Sequence, residues 1–188
     1  MAGESTLISA PTGSGKTLAA FLCAIDRMVF DGSAAGVRIL YISPVKALAR
    51  DVERNLQEPL RGVCTLARDR GEPFRVPRVA VRSGDTSQAA RQKMRRDPPE
   101  ILITTPESLF LILTSGAREI LQTVDTVIVD EIHAIVGTKR GAHLALSVER
   151  VMRLAGRPIQ RIGLSATSRP LDLVARFRAI RRGSGRSM

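Results

Sequence analysis

The stretch Thr6-Leu-Ile-Ser-Ala-Pro-Thr-Gly-Ser-Gly-Lys-Thr17 decides the fold. Thr6–Ala10 reads as a short strand, a Gly/Ser-rich turn follows, and from Lys16 to Phe30 the apolar residues Leu18, Phe21, Leu22, Ile25 and Val29 recur at helical spacing. Strand, glycine turn and helix in that order are the context a phosphate-binding loop requires. Gly13 and Gly15 let the backbone turn tightly, so that consecutive N–H groups face a phosphate. The helix N-terminus adds its partial positive charge. Lys16 is placed to neutralise β- and γ-phosphates, and the Thr17 hydroxyl to ligate Mg²⁺. The expected nucleotide cradle is therefore Pro11, Thr12, Gly13, Ser14, Gly15, Lys16 and Thr17. Ala10 stands where the general pattern has glycine. The bland alternative is a turn that merely opens a helix.

Outward from this loop, short apolar runs alternate with helical patterns. Val37–Ile42, Val79–Val81, Ile101–Thr104, Thr123–Val129 and Arg161–Leu164 read as strands. Val45–Leu56, Ser87–Arg96 and His143–Leu154 read as helices, and Arg61–Pro77, with Gly62, Gly71, Pro73 and Pro77, as an irregular insertion loop. Strands alternating with helices predict an α/β fold with a mostly parallel central sheet covered on both faces. Its functional loops belong at the carboxyl ends of the strands.

Thr126-Val-Ile-Val129 runs straight into Asp130-Glu131-Ile132-His133. A buried strand ending in two acids delivers carboxylates to the edge where the phosphate loop lies. Asp130 is the expected Mg²⁺ ligand, and Glu131 the group that orients or deprotonates an attacking water, with Lys16 its catalytic partner on the phosphates. His133 is either a coupling residue or a satisfied structural histidine. The chain has no Asn-Lys-x-Asp guanine-reading sequence, which favours ATP over GTP.

At 188 residues, 44% hydrophobic and 25% charged, the chain suits one globular domain and is too short for two complete α/β domains. The net charge of +11 favours polyanionic partners. Almost half of it sits in the last thirteen residues, on Arg176, Arg178, Arg181, Arg182 and Arg186. Cys23 and Cys64 belong to no ligand-spaced cluster, which disfavours a zinc site and fits a reducing cytosol. There is no signal-peptide pattern and no apolar run of membrane-spanning length, so the expected location is cytoplasmic. One Tyr, five Phe and no Trp argue against a base-stacking platform.

The ordered motifs resemble a superfamily-two helicase. Ala10–Thr17 is similar to motif I, Ser43-Pro-Val-Lys-Ala-Leu-Ala-Arg-Asp51 to motif Ia and Arg82-Ser-Gly-Asp-Thr86 to the glycine loop. Thr104-Thr-Pro-Glu-Ser-Leu109 is similar to motif Ib, Asp130–His133 to a DExH motif II, and Ser165-Ala-Thr167 to motif III. More narrowly, Ser43–Asp51, Thr104–Leu109 and Asp130–Leu144 resemble the large helicase-related (Lhr) family. The resemblance implies a RecA-like three-layer lobe over residues 1–177, starting short of the adenine-contacting glutamine motif, with residues 178–188 a basic, disordered tail. It implies ATP and Mg²⁺ as cofactors, and 3′-to-5′ translocation on single-stranded DNA with unwinding of DNA or RNA–DNA duplexes. A second RecA-like lobe, carrying motifs IV–VI and arginine fingers, is the implied partner.

The resemblance also assigns coupling to His133, Ser165 and Thr167, and nucleic-acid contact to Pro44, Lys46, Gly84, Thr105 and Pro106. For Lys46 and Arg50 the alternative is an exposed basic helix face, and for Glu107 a simple role at the start of the next helix. His143 reads as structural. The competing function is a stand-alone nucleotide- or nucleic-acid-binding module that unwinds nothing.

Overall fold

The computed structural model describes residues 5–11, 13–30 and 36–166. Thr12, Thr167 and the boundary expected at residue 177 lie outside them. Six strands, β1 (Thr6–Ser9), β2 (Ile39–Ile42), β3 (Val79–Arg82), β4 (Ile101–Thr104), β5 (Thr126–Val129) and β6 (Gln160–Ser165), form one sheet in the order β1-β6-β5-β2-β4-β3. All its pairings are parallel; Ile39, for example, lies opposite both Ile101 and Thr126. Between the strands run α1 (Lys16–Phe30), α2 (Lys46–Asp69), α3 (Gln88–Arg96), α4 (Pro106–Leu113), a 3₁₀ helix (Gly116–Leu121), α5 (Ile132–Ile135) and α6 (Lys139–Ala155).

The central strands β2, β4 and β5 are buried along their whole length, which is why they read as unbroken apolar runs. Alternate residues feed opposite cores. Ile39, Tyr41, Ile101, Ile103 and Ile128 pack with Phe21 and Ile25 of α1 and Val52 and Leu56 of α2. Leu40, Ile42, Leu102, Val127 and Val129 pack with Leu109 of α4 and Leu144 and Val148 of α6. The result is three layers.

The α1 bounds follow the expected ones, but the buried stripe differs. Leu18 and Leu22 are 41% and 51% exposed, while Ala20, Phe21, Ala24 and Ile25 face the sheet. Small alanines let the helix lie close, and the leucines look outward. The expected insertion loop is a larger correction. α2 runs on to Asp69 through Pro59, because Ala49, Val52, Leu56, Leu60, Cys64 and Ala67 keep one buried stripe across the proline. A mid-helix proline costs about 3 kcal/mol, and continuous burial offsets it. The helix stops at Arg70, followed by Gly71 at φ 66°. α6 also starts earlier than expected, capped by Thr138, whose hydroxyl accepts from Gly141 N at 3.0 Å.

A wholly parallel sheet puts every strand's carboxyl end on one edge. Ser9, Ile42, Arg82, Thr104, Val129 and Ser165 therefore deliver the loops that follow them to a common rim.

Candidate nucleotide site and nucleic-acid loops

At the β1–α1 turn, Gly13 and Gly15 both hold φ 82°. A Cβ on either would meet nothing within 4 Å, so the backbone conformation, not crowding, requires glycine. Ser14 N donates to Pro11 O at 3.3 Å, and Ala19 N to Gly15 O at 2.9 Å, closing the turn onto the first helical bond. Lys16 is buried at 7% exposure. The turn lines a cleft of about 890 Å³ that Asp130 and Glu131 and, from α2, Asp51 and Asn55 line as well.

Asp130 is 5% exposed and fully engaged. Its Oδ1 accepts from Glu131 N at 2.8 Å, and its Oδ2 from the Tyr41 hydroxyl. Tyr41 is completely buried, and its phenol is pushed far above its ordinary value of 10.0, by burial first and by the Asp130 charge next. It stays a protonated donor. The Thr17 hydroxyl acts on the phenol in the opposite, lowering direction. Tyr41 thus anchors Asp130 from β2, the strand paired with β5. Sequence reasoning missed it, counting it only as one apolar residue of a strand. The available signal was that it is the single tyrosine of the chain.

Glu131 sits at φ 45°, ψ 44°, the one non-glycine residue with positive φ among those described. Such a conformation costs about 1–3 kcal/mol and persists where its surroundings over-determine it. Here the preceding side chain accepts its N–H and Ala134 N donates to its carbonyl at 2.9 Å. Its carboxylate lies 3.3 Å from His133 Nε2. On the other side of that ring, Nδ1 lies 3.2 Å from Ser165 Oγ and accepts from Ala166 N at 3.4 Å. An acceptor Nδ1 leaves the proton on Nε2, facing Glu131. β5 and β6 are neighbours, with Val129 opposite Gly163, so one imidazole spans the two strand ends.

The remaining loops are internally paired. Lys46 Nζ donates to Asp85 Oδ1 at 2.9 Å and holds that carboxyl below its usual range. Gly84 lies against the same lysine; a Cβ there would sit 3.3 Å from Nζ. Pro44, Thr105 and Pro106 are buried, and the Thr105 hydroxyl caps α4 through Ser108 N at 3.4 Å. Of the five expected nucleic-acid residues, Lys46 and Gly84 are the exposed ones. Arg140 was not singled out, yet it joins three segments. Its Nε and Nη2 donate to Glu107 at 2.6 and 3.1 Å, and Nη2 also to Pro44 O at 2.8 Å. Arg140 chiefly accounts for the lowered Glu107 carboxyl, with the helix-start position secondary. His143 packs its ring on Phe110, centroids 4.7 Å apart, joining α6 to α4.

Among the described residues no cluster of three or more His, Cys, Asp or Glu could form a protein-only metal cage. No described helix is long and apolar enough to cross a membrane.

A glycine loop opening a helix and facing acids at the carboxyl rim of a parallel sheet defines a RecA-like P-loop lobe. Residues 1–174 match the model of the DEAD/DEAH box helicase family, and the chain belongs to that family. It is similar to the Lhr helicase/probable uracil glycosylase of Mycolicibacterium smegmatis, with 60% identity over 177 residues, 93% of this chain and 12% of that protein. It is also similar to the ATP-dependent helicase Lhr-Core protein 2 of Thermococcus barophilus, with 52% identity over 93% of this chain and 21% of that one. A solved structure of Mycobacterium smegmatis helicase Lhr bound to ssDNA and AMP-PNP superposes with TM-score 0.87 and 60% identity, over 93% of this chain and 22% of the other. The chain therefore spans between about an eighth and a fifth of these relatives' lengths.

Proposed function

We propose that this chain is the ATP-binding lobe of a nucleic-acid translocase, coupling ATP hydrolysis to movement on single-stranded DNA or RNA once a second RecA-like lobe closes on it. The carrying observation is the line from Lys16 and Thr17 across the cleft to Asp130 and Glu131, and on through His133 to Ser165. The likeness to a helicase bound to ssDNA and AMP-PNP supports the same reading. In this assignment residues 1–177 form the lobe and 178–188 a basic tail.

The donor set fits Mg²⁺. Thr17 and Asp130 supply hard oxygens, and the absence of a cage among the described residues suits an ion that takes one or two protein ligands plus phosphate oxygens. When bound, the ion would neutralise charge on the β- and γ-phosphates. The chain's own residues do the rest. Backbone N–H groups of residues 13–17 cradle the phosphates and Lys16 offsets their charge. Glu131, aimed by its left-handed backbone and the His133 contact, orients the attacking water and accepts its proton. Ser165 feels that change through His133; Thr167 is assigned to the same coupling from its motif.

The transition-state arginine belongs to the second lobe and is worth about 10³–10⁵ in rate in related phosphoryl transfer, so the 188-residue chain is expected to bind ATP but turn it over very slowly. The test is titration of a fluorescent ATP analogue with and without Mg²⁺, alongside binding of a labelled oligothymidylate. Mg²⁺-dependent nucleotide binding that alters oligonucleotide affinity is the expected result. Oligonucleotide affinity indifferent to nucleotide would favour the stand-alone binding module, and rapid duplex unwinding by this chain would overturn the need for a second lobe.

A further inference from the structure

Arg140 stands on the first turn of α6 and bonds to two other segments at once. Pro44, whose carbonyl it meets, follows β2, and Glu107, whose carboxylate it meets, opens α4. One guanidinium therefore fixes the loop resembling motif Ia against the one resembling motif Ib. A planar fork satisfies a carboxylate and a carbonyl in one orientation only, so the bridge is directional. The Arg140 and Glu107 side chains are 40% and 59% exposed, and a pair that open to water adds little to stability. Its consequence is position.

The backbone leads back from Arg140 to the acids at the end of β5 without a slack turn. Ala134 N donates to Glu131 O at 2.9 Å and Val136 N to Ile132 O at 3.0 Å. Ile135 O then accepts from Thr138 twice, from N at 3.2 Å and from the hydroxyl at 2.7 Å. The same hydroxyl accepts from Gly141 N. Gly141 lies so close that a Cβ there would sit 2.1 Å from Ile135 O, so contact between the two helices, not backbone conformation, requires this glycine. Ile132 and Ile135 are buried in the core that α6 shares. α5 and the first turn of α6 thus form one body, with Glu131 at one end and Arg140 at the other.

We infer that Arg140 is a positioning residue that couples the two sites: a shift of Glu131 tips its guanidinium, which moves Glu107 and the Pro44 carbonyl and so resets the loops assigned to nucleic acid. Arg140 acts through those two partners and not by contact with nucleotide or strand. The inference rests on the translocase reading above and names the side chain through which its coupling passes.

The test measures a labelled oligothymidylate's affinity with and without AMP-PNP and Mg²⁺, and AMP-PNP affinity with and without the oligonucleotide. In wild type each ligand is expected to change the other's affinity by about fivefold or more, and by the same factor in both directions, because binding linkage is reciprocal. Arg140→Met is expected to bring that factor to within about twofold of unity while each ligand's affinity alone stays within about twofold of wild type. Arg140→Lys, whose ammonium lacks the fork, is expected to keep part of the factor. Glu107→Ala, which leaves Arg140 only the Pro44 carbonyl, is expected to lose most of it, and decides the question if Arg140→Met does not fold. The double variant Arg140→Met/Glu107→Ala is expected to lose no more than Arg140→Met, since the two act as one unit. A wild-type factor in Arg140→Met would overturn the inference and leave the translocase reading standing. So would weaker oligothymidylate binding without nucleotide, with a flatter salt dependence and an unchanged factor, which marks a phosphate contact. A wild type in which neither ligand affects the other would overturn the translocase reading and the inference together.

Discussion

The cleft assigned to nucleotide and the loops assigned to nucleic acid occupy one rim of one sheet, yet they handle charge in opposite ways. At the cleft, Lys16 and Asp130 are buried at 7% and 5% exposure, and neither forms an ion pair among the described residues. Along the rim, Lys46 pairs with Asp85 and Arg140 with Glu107, all with exposed side chains. On the proposed function, the cleft is prepared for a ligand that brings its own charges and ion. The loops are largely self-neutralised, which suits a surface that must release a strand as readily as it takes one.

The largest effect is expected where charge is least compensated. Lys16→Ala removes the cation facing the phosphates, a charge-assisted contact worth about 3 kcal/mol, and should weaken binding of a fluorescent ATP analogue roughly 100-fold. A loss below about tenfold would mean the cleft depends on its backbone cradle and the comparison is overstated. Tyr41→Phe comes next. It leaves Asp130 Oδ2 buried without its donor, at an expected cost of about 1–3 kcal/mol in denaturant unfolding. The same variant should need more Mg²⁺ to reach half-maximal nucleotide binding, a shift that simple loss of packing would not produce.

Much of this is legible in the amino-acid sequence alone. Lys16–Phe30 read as a helix because its apolar spacing and the glycines before it agree, and β2, β4 and β5 read as buried strands because burial on both faces leaves no polar alternation to confuse them. The P-loop and the two acids were visible as local strings, and a parallel sheet brings such strings to one rim. What was illegible depends on tertiary override. Glycines and prolines between residues 59 and 77 looked like a loop, but a stripe of small and apolar residues carries α2 through to Asp69. Tyr41 and Arg140 matter here through partners 89 and 96 residues away that no local pattern announces. The left-handed backbone of Glu131 is equally silent in the sequence.

Arg140→Met probes the paired side of the comparison. It breaks the bridge between Glu107 and the Pro44 carbonyl, and because the pair is exposed the expected loss is at most about 1 kcal/mol. Its signature is in pH. Arg140 holds the Glu107 carboxyl below its ordinary 4.5, so the stabilisation is present above that value and is lost as pH falls through the lower, folded-state value. Wild type should therefore lose more stability than Arg140→Met over that acid range. Parallel pH profiles would show that the bridge positions the loops without stabilising them.

Asp85→Asn should produce the smallest change, and one of unusual sign. Asp85 is fully exposed, and its carboxyl is held down by Lys46, so the pair contributes little to folding and the melting temperature should not move. Neutralising it releases Lys46, on the same rim as Gly84, to meet a phosphate. If the loops are self-neutralised to keep strand binding weak, Asp85→Asn should tighten oligothymidylate binding by roughly 2–3-fold at low salt and steepen its salt dependence. Lys46→Ala should do the reverse, and the double variant should match Lys46→Ala, since the aspartate acts only through the lysine. If Asp85→Asn weakened binding instead, Asp85 would be holding Lys46 in its working position, and the difference between cleft and rim would lie in geometry and not in charge.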